Sequence, residues 1–179
     1  MKRRANGKPY VTDLLDLLNK PALLNWANRV GLAGQSLADY RKEAMGDGTR
    51  MHKQVERFLA DKTPFEDAAF QARFEAFMAD KTVIASEKVI ETEHFFGRYD
   101  LKYGCGGRVF ICDFKRNQSG VYLENKLQLA AYRMADGCDD VRIVSLPDMR
   151  VIDPGITDFS PLEEMLLHLS AIYRLKQMI

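Results

Sequence analysis

The sequence is poor in the features that define several large protein classes. Three cysteines (Cys105, Cys112, Cys138) in 179 residues are an odd number without CxxC spacing. That excludes a disulfide framework and a four-cysteine zinc site, and it predicts a reducing, cytosolic setting. No stretch approaches the ~18 consecutive apolar residues that a membrane span needs. The N-terminal MKRRANGKPYVTDLLDLL starts like a secretion signal, but Asp13, Asp16, Asn19 and Lys20 interrupt its apolar run and no small-residue cleavage site follows. Internal repeats, low-complexity linkers and a helicase P-loop are all missing. So is excess charge: 26 basic against 25 acidic side chains leave a net of +1, which excludes a protein that holds polyanions by bulk charge alone.

What is present is an ordinary globular composition, 46% hydrophobic and 28% charged, which argues against disorder. The charge is unevenly placed. Residues 1–57 carry a net of +5, residues 58–100 a net of −4, and residues 101–179 a net of zero. A basic start beside an acidic middle suits a phosphate-facing surface next to a metal-binding one; surface scatter is the plain alternative.

The pattern along the chain changes period twice. Thr12 and Asp13 are expected to cap a short helix over LLDLL, and Pro21 to open a second that ends near Gly31. Gly46, Asp47 and Gly48 read as a breaker, with Thr49 capping a helix over TRMHKQVERFLA. Phe70, Phe74, Phe77 and Met78 fall at helical spacing. TVIASEKVI, HFFGRYDLKY and RVFICDFK then read as three strands, the last two joined by a GCGG hairpin. YLENKLQLAAYRMADG returns to helical period and stops at Gly137, DVRIVSL and MRVIDP follow as strands, and Pro161 opens a final amphipathic helix. The expectation is one α/β domain over residues 1–179: a helical part (1–80), a sheet-containing core (81–155) and a C-terminal helix (156–179) around a mixed sheet flanked by helices.

The residues with chemical content cluster after residue 50. In CDFK, strand alternation puts Asp113 and Lys115 on the face of Val109 and Ile111, so an apolar face turns charged at its end. That is either an ion pair at a strand end or a site. Asp100 lies thirteen residues earlier, across the hairpin, where pairing brings it beside Asp113. Two close carboxylates repel unless a cation lies between them, and Mg²⁺ or Mn²⁺ with oxygen ligands is the natural occupant. Glu87 in the first strand adds a third oxygen, although Glu91 and Glu93 share its parity. His52 sits on a helix stripe with Val55, Glu56 and Leu59, as a packing residue or a ligand. Gln128 and Tyr132, four apart on the next helix, point the same way.

In order, these residues form Gly48-Thr49-Arg50-Met51-His52, Glu87, Gly97-Arg98-Tyr99-Asp100, Asp113-Phe114-Lys115 and Gln128-Leu129-Ala130-Ala131-Tyr132. The series resembles the PD-(D/E)XK nuclease superfamily in its RecB-like branch, and YVTDLLDLLNKPALLNWANRVGL is similar to the entry segment of phage exonucleases and of the mitochondrial genome maintenance exonuclease. The resemblance implies a restriction-endonuclease-like core and a DNA exonuclease using one or two Mg²⁺ or Mn²⁺ ions, in recombination, repair or phage DNA processing. It implies that Asp100, Asp113, the carbonyl of Phe114 and His52 hold the metal, that Lys115 orients the attacking water, that Glu87 is the acidic residue of the first strand, and that Gln128 and Tyr132 position Lys115, the phosphate or a base. Some relatives bind an iron–sulfur cluster through four cysteines; with three, this chain is expected to hold none. Lys2, Arg3, Arg4, Lys8, Arg50, Lys53, Arg57 and Arg116 are candidate DNA-backbone contacts. The expected partners are DNA ends or single strands, with a second copy or a separate recombination protein open, and no membrane. Alternatives are a structure-selective endonuclease of the same fold, a nuclease-like module that binds DNA or protein without cutting, and a small-molecule hydrolase.

Overall fold

A computed structural model describes residues 7–19, 21–116, 120–146 and 148–179, without the side chains of 21–23 and 40–45. Lys2, Arg3 and Arg4 lie outside the described residues. The helical part comprises α1 (Val11–Leu15), α2 (Pro21–Leu32), α3 (Leu37–Asp61) and α4 (Ala68–Met78). The sheet strands β1 (Thr82–Glu91), β2 (Phe96–Cys105) and β3 (Arg108–Lys115) follow, then α5 (Leu123–Asp136), β4 (Asp140–Ser145), β5 (Arg150–Ile152) and α6 (Ser160–Lys176).

Five strands stand in the order β1-β2-β3-β4-β5. The first three form an antiparallel meander, β4 runs parallel to β3, and β5 is antiparallel to β4. The parallel step needs a long crossover, and α5 supplies it. The β2–β3 turn uses Gly106 and Gly107 at φ +55° and +75°, the left-handed pair that a two-residue hairpin of matching twist requires.

The core divides between the two faces of the sheet, and β2 changes face between Tyr99 and Leu101, which share parity but pack on opposite sides. Leu101, Tyr103, Cys112, Phe114 and Val144 pack on Val55 of α3 and on Phe70, Phe74 and Phe77 of α4. Ile90, Tyr99, Ile111 and Ile143 pack on Leu129 and Tyr132 of α5. The outer side of α5, through Leu127, Ala130 and Ala131, meets α1 and α6. The architecture is thus α/β, a five-stranded mixed sheet with helices on both faces.

Two local expectations are corrected. The breaker at Gly46-Asp47-Gly48 does not break: α3 runs unbroken over 25 residues, capped by Ser36, whose hydroxyl accepts the Asp39 amide, and closed by Lys62 at φ +62°. A helix-interior glycine costs about 1 kcal/mol, and here tertiary contacts outweigh it. Asp47 pairs with Arg116 at 2.9 Å and Arg50 at 3.4 Å, and the Arg116 side chain lies along the helix beside Gly48. Thr12 lies inside α1 rather than at its cap, while Asp13 caps the helix from its third position. The helix starts one residue after extended Tyr10, because the Asp13 carboxylate reaches back to accept the Tyr10 amide at 2.7 Å. Among the described residues, no helix is long and apolar enough to cross a membrane.

Candidate functional site

The site forms where β2 and β3 part. Their pairing runs from Cys105↔Arg108 to Leu101↔Cys112. One step further the same register sets Asp100 opposite Asp113, and there the Asp100 carboxylate, not a backbone carbonyl, accepts the Phe114 amide at 2.6 Å. This substitution keeps the amide satisfied while the strands splay. The opening is a cleft of about 380 Å³ walled by β2, β3, α1, α3 and α5, in the size range of small-ligand sites.

On the α5 side, Asp113 is buried and its Oδ2 lies 2.6 Å from Lys115 Nζ. Lys115 donates to Gln128 Oε1 at 2.9 Å, and the Gln128 amide nitrogen donates to the Tyr132 hydroxyl at 2.6 Å. The chain of contacts fixes which end of the amide faces the lysine. Burial pushes the Asp113 carboxyl up, against the pull of Lys115, and neighbouring Asp100 pushes it further. Burial acts against charge on Lys115, but the Asp113 carboxylate outweighs it and the ammonium is held above its ordinary range. Lys115 therefore stays a proton-bearing donor rather than a base. Burial and the two aspartates raise the Tyr132 phenol.

On the α3 side, ligand atoms of His52, Glu87 and Asp100 lie within 4.8 Å of one another. His52 Nδ1 is 3.6 Å from Asp100 Oδ1, and the imidazole stands edge-on to Phe114. Burial works to lower the His52 pKa, and Asp100 more than reverses it, so the net shift is upward. Glu87 has φ +50° inside β1, a backbone region that side-chain-bearing residues seldom adopt. The twist interrupts strand alternation and turns Glu87 toward the histidine. Burial and Asp100 raise its carboxyl, with Arg98 opposing. Glu91 pairs with Lys8 instead, and Glu93 lies beside His94, so the structure selects Glu87 from the three acidic positions.

The structure thus gathers His52, Glu87, Asp100, Asp113, Phe114, Lys115, Gln128 and Tyr132 at one cleft. Among the described residues, Arg116 is the one candidate backbone contact that lines it, held by Asp47. Arg50, Lys53 and Arg57 are exposed on α3 but share a face turned away from His52, as 100° per residue dictates. Sequence reasoning missed Arg98, whose Nε stands 2.9 Å from Glu87 Oε2, and the wall contributed by Tyr10 and Thr12. Arg98 lay inside a quoted motif and its alternation with Asp100 was a usable signal; nothing in the sequence marked Tyr10.

The chemistry of the donors fits a hard divalent cation. Glu87 Oε2 and Asp113 Oδ2 are buried and accept no aligned hydrogen bond; a cationic side chain stands close to each, Arg98 at 2.9 Å and Lys115 at 2.6 Å. Carboxylate oxygens with one imidazole suit Mg²⁺ or Mn²⁺.

No protein-family model matches the chain, and no curated protein does. Fifteen chains of solved structures match. One is the crystal structure of SSO0001, 15% identical with a TM-score of 0.45, aligned over 98% of this chain and 79% of that one.

Proposed function

We propose that this chain is a divalent-metal-dependent deoxyribonuclease of the PD-(D/E)XK superfamily, RecB-like branch, acting as an exonuclease, with the mixed sheet as its restriction-endonuclease-like core. The observation that carries this reading is the meeting of two groups in one cleft. His52, Glu87 and Asp100 converge within 4.8 Å on one side. Asp113, Lys115, Gln128 and Tyr132 form a continuous polar chain on the other. A packing histidine and a solitary strand-end ion pair have no reason to share a cleft with two under-satisfied carboxylates.

Asp100, Asp113, His52 and the Phe114 carbonyl are the groups that would hold a Mg²⁺ or Mn²⁺ ion, with Glu87 beside them. Such an ion, when bound, polarises a phosphoryl oxygen and makes water a better nucleophile near neutral pH. The chain's own residues supply orientation and charge. The Lys115 ammonium has three N–H donors; Gln128 takes one, Asp113 stands against it as a close ion pair, and a remaining N–H serves a water or phosphoryl oxygen in the cleft. Water oxygen bonds to phosphorus as the ester P–O bond breaks; the water gives up one proton and the departing sugar oxygen takes one. Lys115 offsets the negative charge carried by the phosphoryl oxygens in the transition state.

End-labelled single- and double-stranded DNA with Mg²⁺ or Mn²⁺ tests the reading. The wild type should degrade it, and Asp113→Ala and Lys115→Ala should each lose about 100-fold or more. Undiminished cleavage in both variants would overturn it. Linear DNA cut and covalently closed DNA spared is the result expected of an exonuclease.

A further inference from the structure

Arg98 is the charged residue of the cleft to which the nuclease reading gives no task. It lies two residues before Asp100 on β2, on the same face, and its side chain is 56% exposed. Its Nε stands 2.9 Å from Oε2 of Glu87, whose side chain is only 17% exposed. That oxygen nonetheless accepts no aligned hydrogen bond. The guanidinium is beside the carboxylate as a charge, not docked on it as a fork. The backbone of Glu87 is meanwhile twisted to φ +50°, which places the same carboxylate within 4.8 Å of His52 and Asp100 ligand atoms. Arg98 and the neighbouring ligands therefore address one group.

We propose that Arg98 is the resident counter-ion of Glu87, that a divalent cation displaces it, and that the freed guanidinium then takes an oxygen of the DNA phosphate in the cleft. The proposal rests on the metal-dependent nuclease reading and adds a coupling between metal loading and substrate capture.

Three observations favour Arg98 over the other cations. Lys115 is engaged by Asp113 and Gln128, and Arg116 by Asp47. Lys115 also has a prospective ligand, Asp113, as its partner, but Gln128 holds it as well, whereas Arg98 pairs with Glu87 and is the more exposed of the two cations. More than half of its side chain is in water, so leaving that partner gives up a weak, screened pair. A freed guanidinium matches phosphate geometry in a way that an ammonium does not. The charges agree as well. With His52 neutral and Arg116 cancelled by Asp47, Glu87, Asp100 and Asp113 against Lys115 and Arg98 leave a net of −1. One divalent ion and one phosphodiester bring the cleft to zero.

The two halves of the proposal move in opposite directions in one variant, which makes them testable together. Mn²⁺ binding is measured by titration calorimetry without DNA. Binding of a 5′-labelled oligonucleotide is measured by fluorescence anisotropy with Ca²⁺ in place of the catalytic metal, over a range of salt. Arg98→Ala should bind Mn²⁺ about 2- to 5-fold more tightly, the size of effect expected on removing one exposed competing charge. The same variant should bind the oligonucleotide more weakly, with its log–log salt slope reduced by about 1. Arg98→Lys should keep the wild-type salt slope. Unchanged or weaker Mn²⁺ binding in Arg98→Ala overturns the proposal, as does an unchanged salt slope. A wild-type protein that binds no Mn²⁺ refutes the metal-dependent reading itself, a result seen without any variant.

Discussion

Gln128 lines the cleft and holds the lysine there. Its carbonyl accepts Lys115 Nζ while its amide nitrogen is tied to the Tyr132 hydroxyl. Replacing Gln128 with Leu should free the ammonium to collapse fully on Asp113. We expect turnover to fall about 10- to 100-fold, the range typical of an orienting partner, with Mn²⁺ affinity unchanged in calorimetry. A proportional loss of metal affinity would place Gln128 among the ligands instead. His52 makes the complementary case. Burial opposes its protonation and Asp100 promotes it, with a net rise above the ordinary value of 6.5. A ligating imidazole must be neutral. Metal binding therefore has to expel a proton that Asp100 helps to retain, and Mn²⁺ affinity should increase as pH rises from 6 to 8, the ordinary histidine range and above. His52→Ala should bind more weakly and lose most of that pH dependence. A flat wild-type titration with a lowered melting temperature in His52→Ala would make it a packing residue.

The strands and the helix α5 follow from local pattern. β-branched and aromatic runs, a two-glycine turn and a 3.6-residue period are each decided within a dozen residues, so their sequence signatures survive folding. The Asp100–Asp113 opposition was legible for the same reason, since a tight hairpin fixes register. What was not legible depends on contacts far along the chain. Across the expected breaker, α3 is tied by Asp47 to Arg116, 69 residues away. The selection of Glu87 over Glu91 rests on a left-handed backbone that breaks the alternation on which parity depends. The unbroken helix has a direct consequence at Gly46, which is exposed, and where an added Cβ meets nothing within 4 Å. Gly46→Ala should stabilise the protein by about 0.5–1 kcal/mol, read from urea unfolding. Destabilisation would show that the breaker pattern acts after all. Gly97→Ala should do the opposite. Its Cβ would stand 3.0 Å from Val11 Cγ2 and 3.4 Å from Tyr132 Cε1, pressing α1 and α5 apart at the cleft wall for a cost of about 1–3 kcal/mol.

At the scale of the whole molecule, the far end of α5 is riveted to the sheet by one carboxylate. Asp136 accepts from Lys88 on β1, from Lys102 on β2 and from the Tyr99 hydroxyl on β2. Lys102 also takes the Asp136 backbone carbonyl, which would otherwise be unsatisfied at the helix C-terminus. The network holds α5 against the meander two turns beyond Gln128, and so keeps the helix that positions Lys115 at a fixed height on the sheet. Burial alone would raise the Asp136 pKa, but the lysine and tyrosine hydrogen bonds overcome it and hold the carboxyl at about 2, below its ordinary 3.8. A carboxyl depressed in the folded state binds its proton more readily once the chain unfolds. Its contribution is therefore complete above the ordinary value and is lost as pH falls from about 4 through about 2. After allowance for solvent screening, the amount at stake is about 1–2 kcal/mol. Urea unfolding at pH 7, 4 and 2.5 should show the wild type losing this increment across the lower interval. Asp136→Asn should be less stable at pH 7, and its curve should approach the wild type's by pH 2.5. Parallel curves over the whole range would mean that packing alone, not this carboxylate, ties α5 to the sheet.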